Sequence, residues 1–274
     1  MNYSKELIAA LEDKAKSIRR GVIESVGVGV AGHVGGSCSC ADIIAALYFY
    51  KMKYDPKRPS DPDRDRFLLS KGHVAIAQYA ALAEAGYFPR EELKTTKELG
   101  SRLQGHPDRL KTPGVEAGTG SLGQGLSIGL GMALGQRLNG IDRKTYVILG
   151  DGELAEGQVW EAAMAAPIFK ADNLVAIVDN NRLQATGPIE ERFNTLPLAP
   201  RFEGFGWNVI EIDGHRMEEI LGALDAADEV KGSPTAIIAH TVKGKGVSFA
   251  ENVAAYHNGA LTEESYRQAL DELT

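Results

Sequence analysis

The sequence predicts an α/β fold, a parallel sheet of about five strands with helices on both faces. Three observations predict it. The runs KTYVIL, 144–149, and NLVAIVD, 173–179, are short, continuous and rich in β-branched residues, as strands buried on both faces are. Between them, residues 153 to about 166 carry apolar side chains at helical spacing, which makes a strand-helix-strand unit. The alternation returns in FEGFG, WNVIEID, HRMEEILGALDAADE and PTAIIAHT, without internal repeats or low-complexity tracts. With 274 residues, 43% hydrophobic and 24% charged, the chain 1–274 reads as a single domain with a large core.

In chain order, residues 4–24 form a packing helix, apolar at Leu7, Ile8, Leu11, Ala15, Ile18, Val22 and Ile23. A glycine-rich loop carrying His33 follows, then a helix for which Ser39 is the expected N-cap. Glycines beside a histidine let backbone and imidazole approach a ligand closely. YDPKRPSDPDRDR is a surface connection, and FLLS a short strand with Lys71, Gly72 and His73 at its carboxyl end, ahead of the helix VAIAQYAALAEAG. Residues 90–99 form a short charged helix. Residues 100–121 are a long loop holding Gly105-His106-Pro107 and Gly118-Thr119-Gly120-Ser121, and loops of this length inside a compact domain are usually functional. The next helix, LGQGLSIGLGMALGQRLN, has weak propensity but small residues that admit a neighbouring helix or subunit. Pro167 is expected to end or kink the crossover helix near Ala163. A polar loop then presents Lys243, Lys245 and His257 before a last helix, 262–273.

The chemistry gathers at residues 150–187. GDG ends one strand and Asn180-Asn181 the other, so Asp151 and Asn181 stand at the carboxyl ends of strands joined by one crossover, where ligands of parallel sheets collect. A carboxylate beside a neutral amide oxygen suits a hard divalent cation such as Mg2+, which keeps its other positions for phosphates and water. A net charge of −7 and a pI near 5.5 argue against nucleic acid and anionic membranes as partners. No run of eighteen apolar residues and no signal peptide is present, and Cys38 and Cys40, in a C-x-C spacing with no second pair, read as reduced thiols of a cytoplasmic protein.

Nine blocks occur in one order: GHVGGS at 32–37, LSKGH at 69–73, QGHP at 104–107, GTGSLGQG at 118–125, GDGELAEGQVWEA at 150–162, DNNRLQATG at 179–187, DGH at 213–215, TVKGKG at 241–246 and the late His257. In order and spacing, over essentially the whole chain, they resemble the amino-terminal, diphosphate-binding (PP-type) domain of transketolase, a thiamine-diphosphate enzyme. A complete transketolase is more than twice as long, so the chain resembles the separate amino-terminal subunit of a split transketolase. The resemblance implies thiamine diphosphate and Mg2+ as cofactors, with Ca2+ or Mn2+ as substitutes, and Asp151, Asn181 and the Leu183 carbonyl as metal ligands. It implies cofactor contacts from Gly120, Ser121, Leu122, Gly152, His73, His257 and Lys243, and a substrate channel lined by His33, His73, His106 and His257. Neutral imidazoles suit it, because hydroxyl protons must be lost and regained as a carbon-carbon bond breaks and forms.

Glu156, counted with the cofactor site, aligns with an acidic residue the family places near a subunit contact; the plain alternative is a first-turn glutamate favoured by the helix dipole. Lys71 and Lys243 match basic residues found in part of the family, and either neutralise diphosphate, anchor substrate or stand exposed. His215 and His240 read as structural. The activating glutamate of thiamine enzymes belongs by resemblance to the pyrimidine-binding domain, which implies a partner subunit, an α2β2 assembly and no turnover by this chain alone. Ketol transfer from a sugar phosphate, by default xylulose 5-phosphate, is the implied reaction. The alternatives are the alpha subunit of a 2-oxoacid dehydrogenase, which lacks the loops of His33, His73 and His106, deoxyxylulose-phosphate synthase, whose domain arrangement differs, and a non-catalytic cofactor-binding subunit.

Overall fold

The computed structural model describes residues 3–274. Five parallel strands form the sheet: β2 (Arg66–Leu69), β3 (Thr145–Gly150), β4 (Leu174–Asn180), β7 (Asn208–Asp213) and β8 (Thr235–His240), in the order β2-β3-β4-β8-β7. The remaining strands are two-residue pairings: β1 (Ala31–Gly32) with β9 (Gly259–Ala260), and β5 (Leu183–Gln184) with β6 (Gly187–Pro188). The expected fold class holds, and the reason is visible in the strands. Tyr146, Ile148, Val175 and Ile177 point into one core, with α1 (Lys5–Val26), α3 (Ala41–Ala46), α4 (Ala75–Glu84), α8 (Met217–Glu229) and α9 (Glu263–Glu272). Val147, Leu149, Leu174, Ala176 and Val178 point into the other, with α5 (Gly125–Leu138), α6 (Gly157–Ile168) and α7 (Ala199–Phe205). The central strands β3 and β4 are therefore apolar on both sides, which is why their sequences read as unbroken runs.

Three local expectations are corrected. The glycine-rich segment after His33 is not a loop: Val34–Ser39 form a short buried helix, α2, with His33 at its N-cap. Ser39 does not cap the next helix, because its hydroxyl is spent on Asp179, 2.6 Å away. The crossover begins with a 3-10 turn, Gly152–Ala155, and α6 then runs through Pro167 to Ile168 without ending near Ala163. Proline removes the N–H that would have bonded the carbonyl of Ala163. The indole Nε1 of buried Trp207 donates to that carbonyl at 2.8 Å, so the acceptor is satisfied from outside the helix and the helix continues.

This pairing is testable. Trp207→Phe should destabilise the protein by about 1–3 kcal/mol, the cost of a buried acceptor left without a donor. In a Pro167→Ala background the restored N–H takes the carbonyl, and the same substitution should cost measurably less in urea unfolding. Equal costs in both backgrounds would remove this account of the unbroken helix.

Candidate active site at the carboxyl end of the sheet

Because the strands are parallel, their carboxyl ends open on one side. β3 pairs with β4 so that Gly150 lies opposite Asp179, and β4 pairs with β8 so that Asn180 lies opposite His240. A pocket of about 200 Å3 forms there, lined by Lys71, His73, Leu122, Asp151, Gly152, Asn181, Leu183, Lys243 and His257 among others. The structure thus gathers most of the expected residues in one place, from five separate stretches of chain.

Beneath the pocket sits an acid that the motif reading passed over. Asp179 is completely buried; it accepts from Ser39 Oγ at 2.6 Å and Asn181 Nδ2 at 2.9 Å, and also from Lys71 Nζ and Thr241 Oγ1. Lys71 is 2% exposed, and its ammonium also donates to the Gly36 carbonyl at 2.9 Å. Burial alone would strip a proton from Lys71, but the charge of Asp179 outweighs it and raises the lysine's pKa. Burial pushes Asp179 the other way, and Lys71 with the three hydrogen bonds holds it below the usual carboxylate range. Lys71, left open in sequence between diphosphate neutralisation and exposure, is therefore the buried counter-ion of Asp179.

A second buried acid, Glu153, organises the neighbouring loop. Its carboxylate accepts from Gly123 N at 2.9 Å, Gly150 N at 3.0 Å and Ser70 Oγ, which ties the GTGSLGQG segment and the end of β2 to the GDG turn. Glu156 heads α6, is exposed and lies outside the pocket, and the acid that ties these loops together is Glu153. Both missed acids had a signal, since each lies within two residues of a motif residue, but one reads as the last residue of a strand and the other as a first-turn glutamate.

Asp151 is 4% exposed and accepts from the backbone N–H of Gly152 at 2.7 Å and of Arg182. Burial and then the charge of Asp179 push its pKa up to about 6. Asn181 turns its amide nitrogen to Asp179 and leaves Oδ1 facing Leu183 N at 3.2 Å. The Leu183 carbonyl accepts from Lys243 Nζ at 2.7 Å. One carboxylate, one amide oxygen and one carbonyl are the hard oxygen donors a divalent cation takes. Among the described residues no three His, Cys, Asp or Glu side chains converge on a metal site, so a cation held here needs oxygens from a ligand as well.

The histidines divide. His33, His73 and His257 form a triangle with ring centroids 5.0, 5.2 and 5.4 Å apart. His106 is exposed at its margin, its ring lying against Gly120, whose φ of +136° and missing Cβ make that approach possible. Burial, followed by neighbouring positive charge, lowers the pKa of His33 and His257 to about 4 and that of His73 to about 2. All three imidazoles are neutral at pH 7. Lys243, buried and near Lys71, is lowered to about 8 and lies 3.2 Å from His257 Nδ1. Gly120 and Ser121 stand beside the pocket and only Leu122 of that trio lines it. His215 is structural, as expected: Nδ1 faces Asp42 at 2.7 Å while Nε2 accepts from Val242 N at 2.8 Å, which props the loop of Lys243. His240 is half exposed, between Asn180 and Glu211. Cys38 and Cys40 are buried free thiols, with pKa values pushed up by burial to about 12 and 11.

Residues 11–273 match the family described as transketolase, thiamine diphosphate binding domain. The chain belongs to the transketolase family. It is 46% identical over 263 residues to the 6-deoxy-6-sulfo-D-fructose transketolase subunit SqwG of Clostridium sp., covering 96% of each protein. It is 43% identical over 267 residues to an apulose-4-phosphate transketolase subunit of Phocaeicola vulgatus, covering 97% of this chain and 95% of that one. Human transketolase is 41% identical over 267 residues, 97% of this chain but 42% of the longer protein. The crystal structure of Campylobacter jejuni transketolase superposes with a TM-score of 0.90 at 34% identity, over 100% of this chain and 43% of that one. The family expectation is borne out, and the two relatives of matching length given above are themselves named as subunits of transketolases.

Two outcomes follow from this site. Lys71→Met or Asp179→Leu alone strands a buried charge and should cost about 3–5 kcal/mol in denaturant unfolding, whereas the double substitution should recover much of that loss. The histidines fix the sign of a pH effect. Their folded pKa values lie below the unfolded value of about 6.5, so the unfolded chain binds more protons and stability falls as pH drops from about 6.5 towards 4. The ring resonances of His33, His73 and His257 should stay flat in NMR between pH 8 and pH 6; titration of any of them near 6.5 would contradict a neutral, desolvated cluster.

Proposed function

We propose that this chain is the amino-terminal subunit of a transketolase made of two polypeptides, transferring a two-carbon ketol unit from a ketose phosphate to an aldose. One observation carries the reading: the pocket at the sheet's carboxyl end collects the family's motif residues in a chain that matches separate transketolase subunits nearly end to end. The chain 1–274 then acts as one diphosphate-binding domain, and a partner subunit bearing the pyrimidine-binding domain completes each site in an α2β2 assembly in the cytoplasm. No nucleic acid and no membrane enters this reading; among the described residues no helix is long and apolar enough to cross a membrane.

Thiamine diphosphate, when bound, supplies the electron sink that lets a carbon-carbon bond beside a carbonyl break and form. Asp151, Asn181 and the Leu183 carbonyl would hold Mg2+, with Ca2+ or Mn2+ as substitutes. The backbone of Gly152 and of Gly120, Ser121 and Leu122, together with His73 and Lys243, would contact the diphosphate. His33, His73 and His257, neutral and mutually close, with His106 at the rim, accept and return the protons of substrate hydroxyls. A proton accepted by a cluster that resists charging is readily given back, as a reaction run in both directions requires.

Relatives of the same length are named for apulose 4-phosphate and for 6-deoxy-6-sulfo-D-fructose. The donor panel therefore includes these beside xylulose 5-phosphate, which stands as the default within the pentose phosphate pathway. Ketol transfer should appear when the chain is co-expressed with the product of its neighbouring open reading frame, and Asp151→Ala in the pair should lower it at least about 100-fold, the scale of losing a charged oxygen donor and the orientation it gives. Turnover by the purified chain alone would refute the two-polypeptide reading.

A further inference from the structure

At the opposite end of β2 from the pocket lies a second cavity that the transketolase reading leaves unused. Arg66 begins β2, and its guanidinium borders a cleft of about 530 Å3 whose walls also carry Arg64, Arg102, Arg109, Lys111 and Glu116. An adjoining depression of about 580 Å3 shares Arg66, Arg109 and Glu116. In a chain of net charge −7, five cations here surround a single carboxylate.

The existing ion pairs leave this charge largely uncompensated. Glu116 is shared by Arg64 and, at 3.0 Å, by Arg66. Arg102 has Glu92 at 3.0 Å, outside the cleft. Arg109 and Lys111 are exposed, and among the described residues neither has an ion-pair partner. Arg64 is more telling, because its side chain is 91% buried, being 9% exposed, yet its Nε has no hydrogen-bond partner. A buried guanidinium donor without an acceptor is costly, and this one belongs to a residue that lines the cleft.

The cleft is also held in shape. Gly114, with φ of +86°, presses the loop so closely on α4 that a Cβ there would overlap Leu82 and, at 2.8 Å, Tyr87. Val115 and Thr112 are buried, and Thr112 Oγ1 donates to the Arg102 carbonyl at 2.7 Å. The loop backbone is thus fixed, and guanidinium forks carried on it and on β2 match the oxygens of a phosphate group, which accepts several charge-assisted hydrogen bonds at once.

We propose that this cleft is a binding site for the phosphate group of a small phosphorylated metabolite, separate from the diphosphate pocket, with Arg66, Arg109 and Lys111 as its principal contacts and Arg64 as its floor. The same loop carries His106 at one end and reaches Gly120 at the other, so an anion bound at 109–116 stiffens the segment that borders the catalytic end of the sheet.

The test uses the purified chain saturated with thiamine diphosphate and Mg2+, which keeps the diphosphate pocket out of the measurement. Inorganic phosphate and glycerol 3-phosphate are titrated calorimetrically in 150 mM KCl. One saturable site per chain is expected, weakened at least tenfold by Arg109→Gln with Lys111→Gln. Both residues are exposed and free of ion pairs, so the variant should keep the far-UV spectrum and melting temperature of the parent. Lys16→Gln with Lys170→Gln, which removes the same charge elsewhere, should leave binding unchanged. Tighter binding of the ester than of inorganic phosphate identifies an organic phosphate as the ligand, and equal binding identifies the phosphate ion itself. Absence of a saturable site, equal weakening by the control variant, or capture of an acidic polypeptide on this face without phosphate binding overturns the proposal.

Discussion

The buried pair of Lys71 and Asp179 is the interaction on which the candidate active site depends. A lysine and an aspartate with almost no access to water survive as ions only because each is the other's partner and because the remaining lone pairs and protons are filled. Those fillers come from α2, from the end of β4 and from the residue after β8. One carboxylate therefore sets the relative positions of four segments that are far apart in sequence. Asn181 donates to it through its side-chain amide, and its charge is part of what raises the pKa of Asp151.

That arrangement separates two jobs that a reading by motif merges. Negative charge at the strand ends is shared between Asp179, which is neutralised inside the protein, and Asp151, which is left for a ligand. Positive charge is divided in the same way between Lys71, committed to the floor, and Lys243, half released by burial and bonded only to a carbonyl and an imidazole. The pocket thus keeps one acid and one base outside the buried pair, on a foundation that is already satisfied.

Much of this was legible in the sequence because the pattern that fixes the fold and the pattern that fixes the site are both local. Unbroken apolar runs announce a sheet covered on both faces, and GDG and NN mark where two of its strands stop. His33, His73 and His257 fell together as expected, because each sits at or beside a strand end. What stayed hidden has a common cause. Asp179, Glu153 and Ser39 act through partners thirty or more residues away, and nothing in their immediate neighbours distinguishes a buried acceptor from a turn residue or a cap. The long helix through Pro167 is similar, because the donor that rescues it, Trp207, belongs to another element.

The anchoring of the segment 100–121 has a further consequence. It has no regular hydrogen-bonded ladder, and its ends are secured through Tyr79 to the carbonyls of Gln104 and His106, through Thr119 to that of Leu69, and through Glu153 to Gly123. Leu103 and Val115 are buried in the first core as well, so the segment is held by packing in addition to these hydroxyls and this carboxylate. It therefore opens only together with part of the core on which it lies, and a ligand held against its inner face adds to the stability of that core.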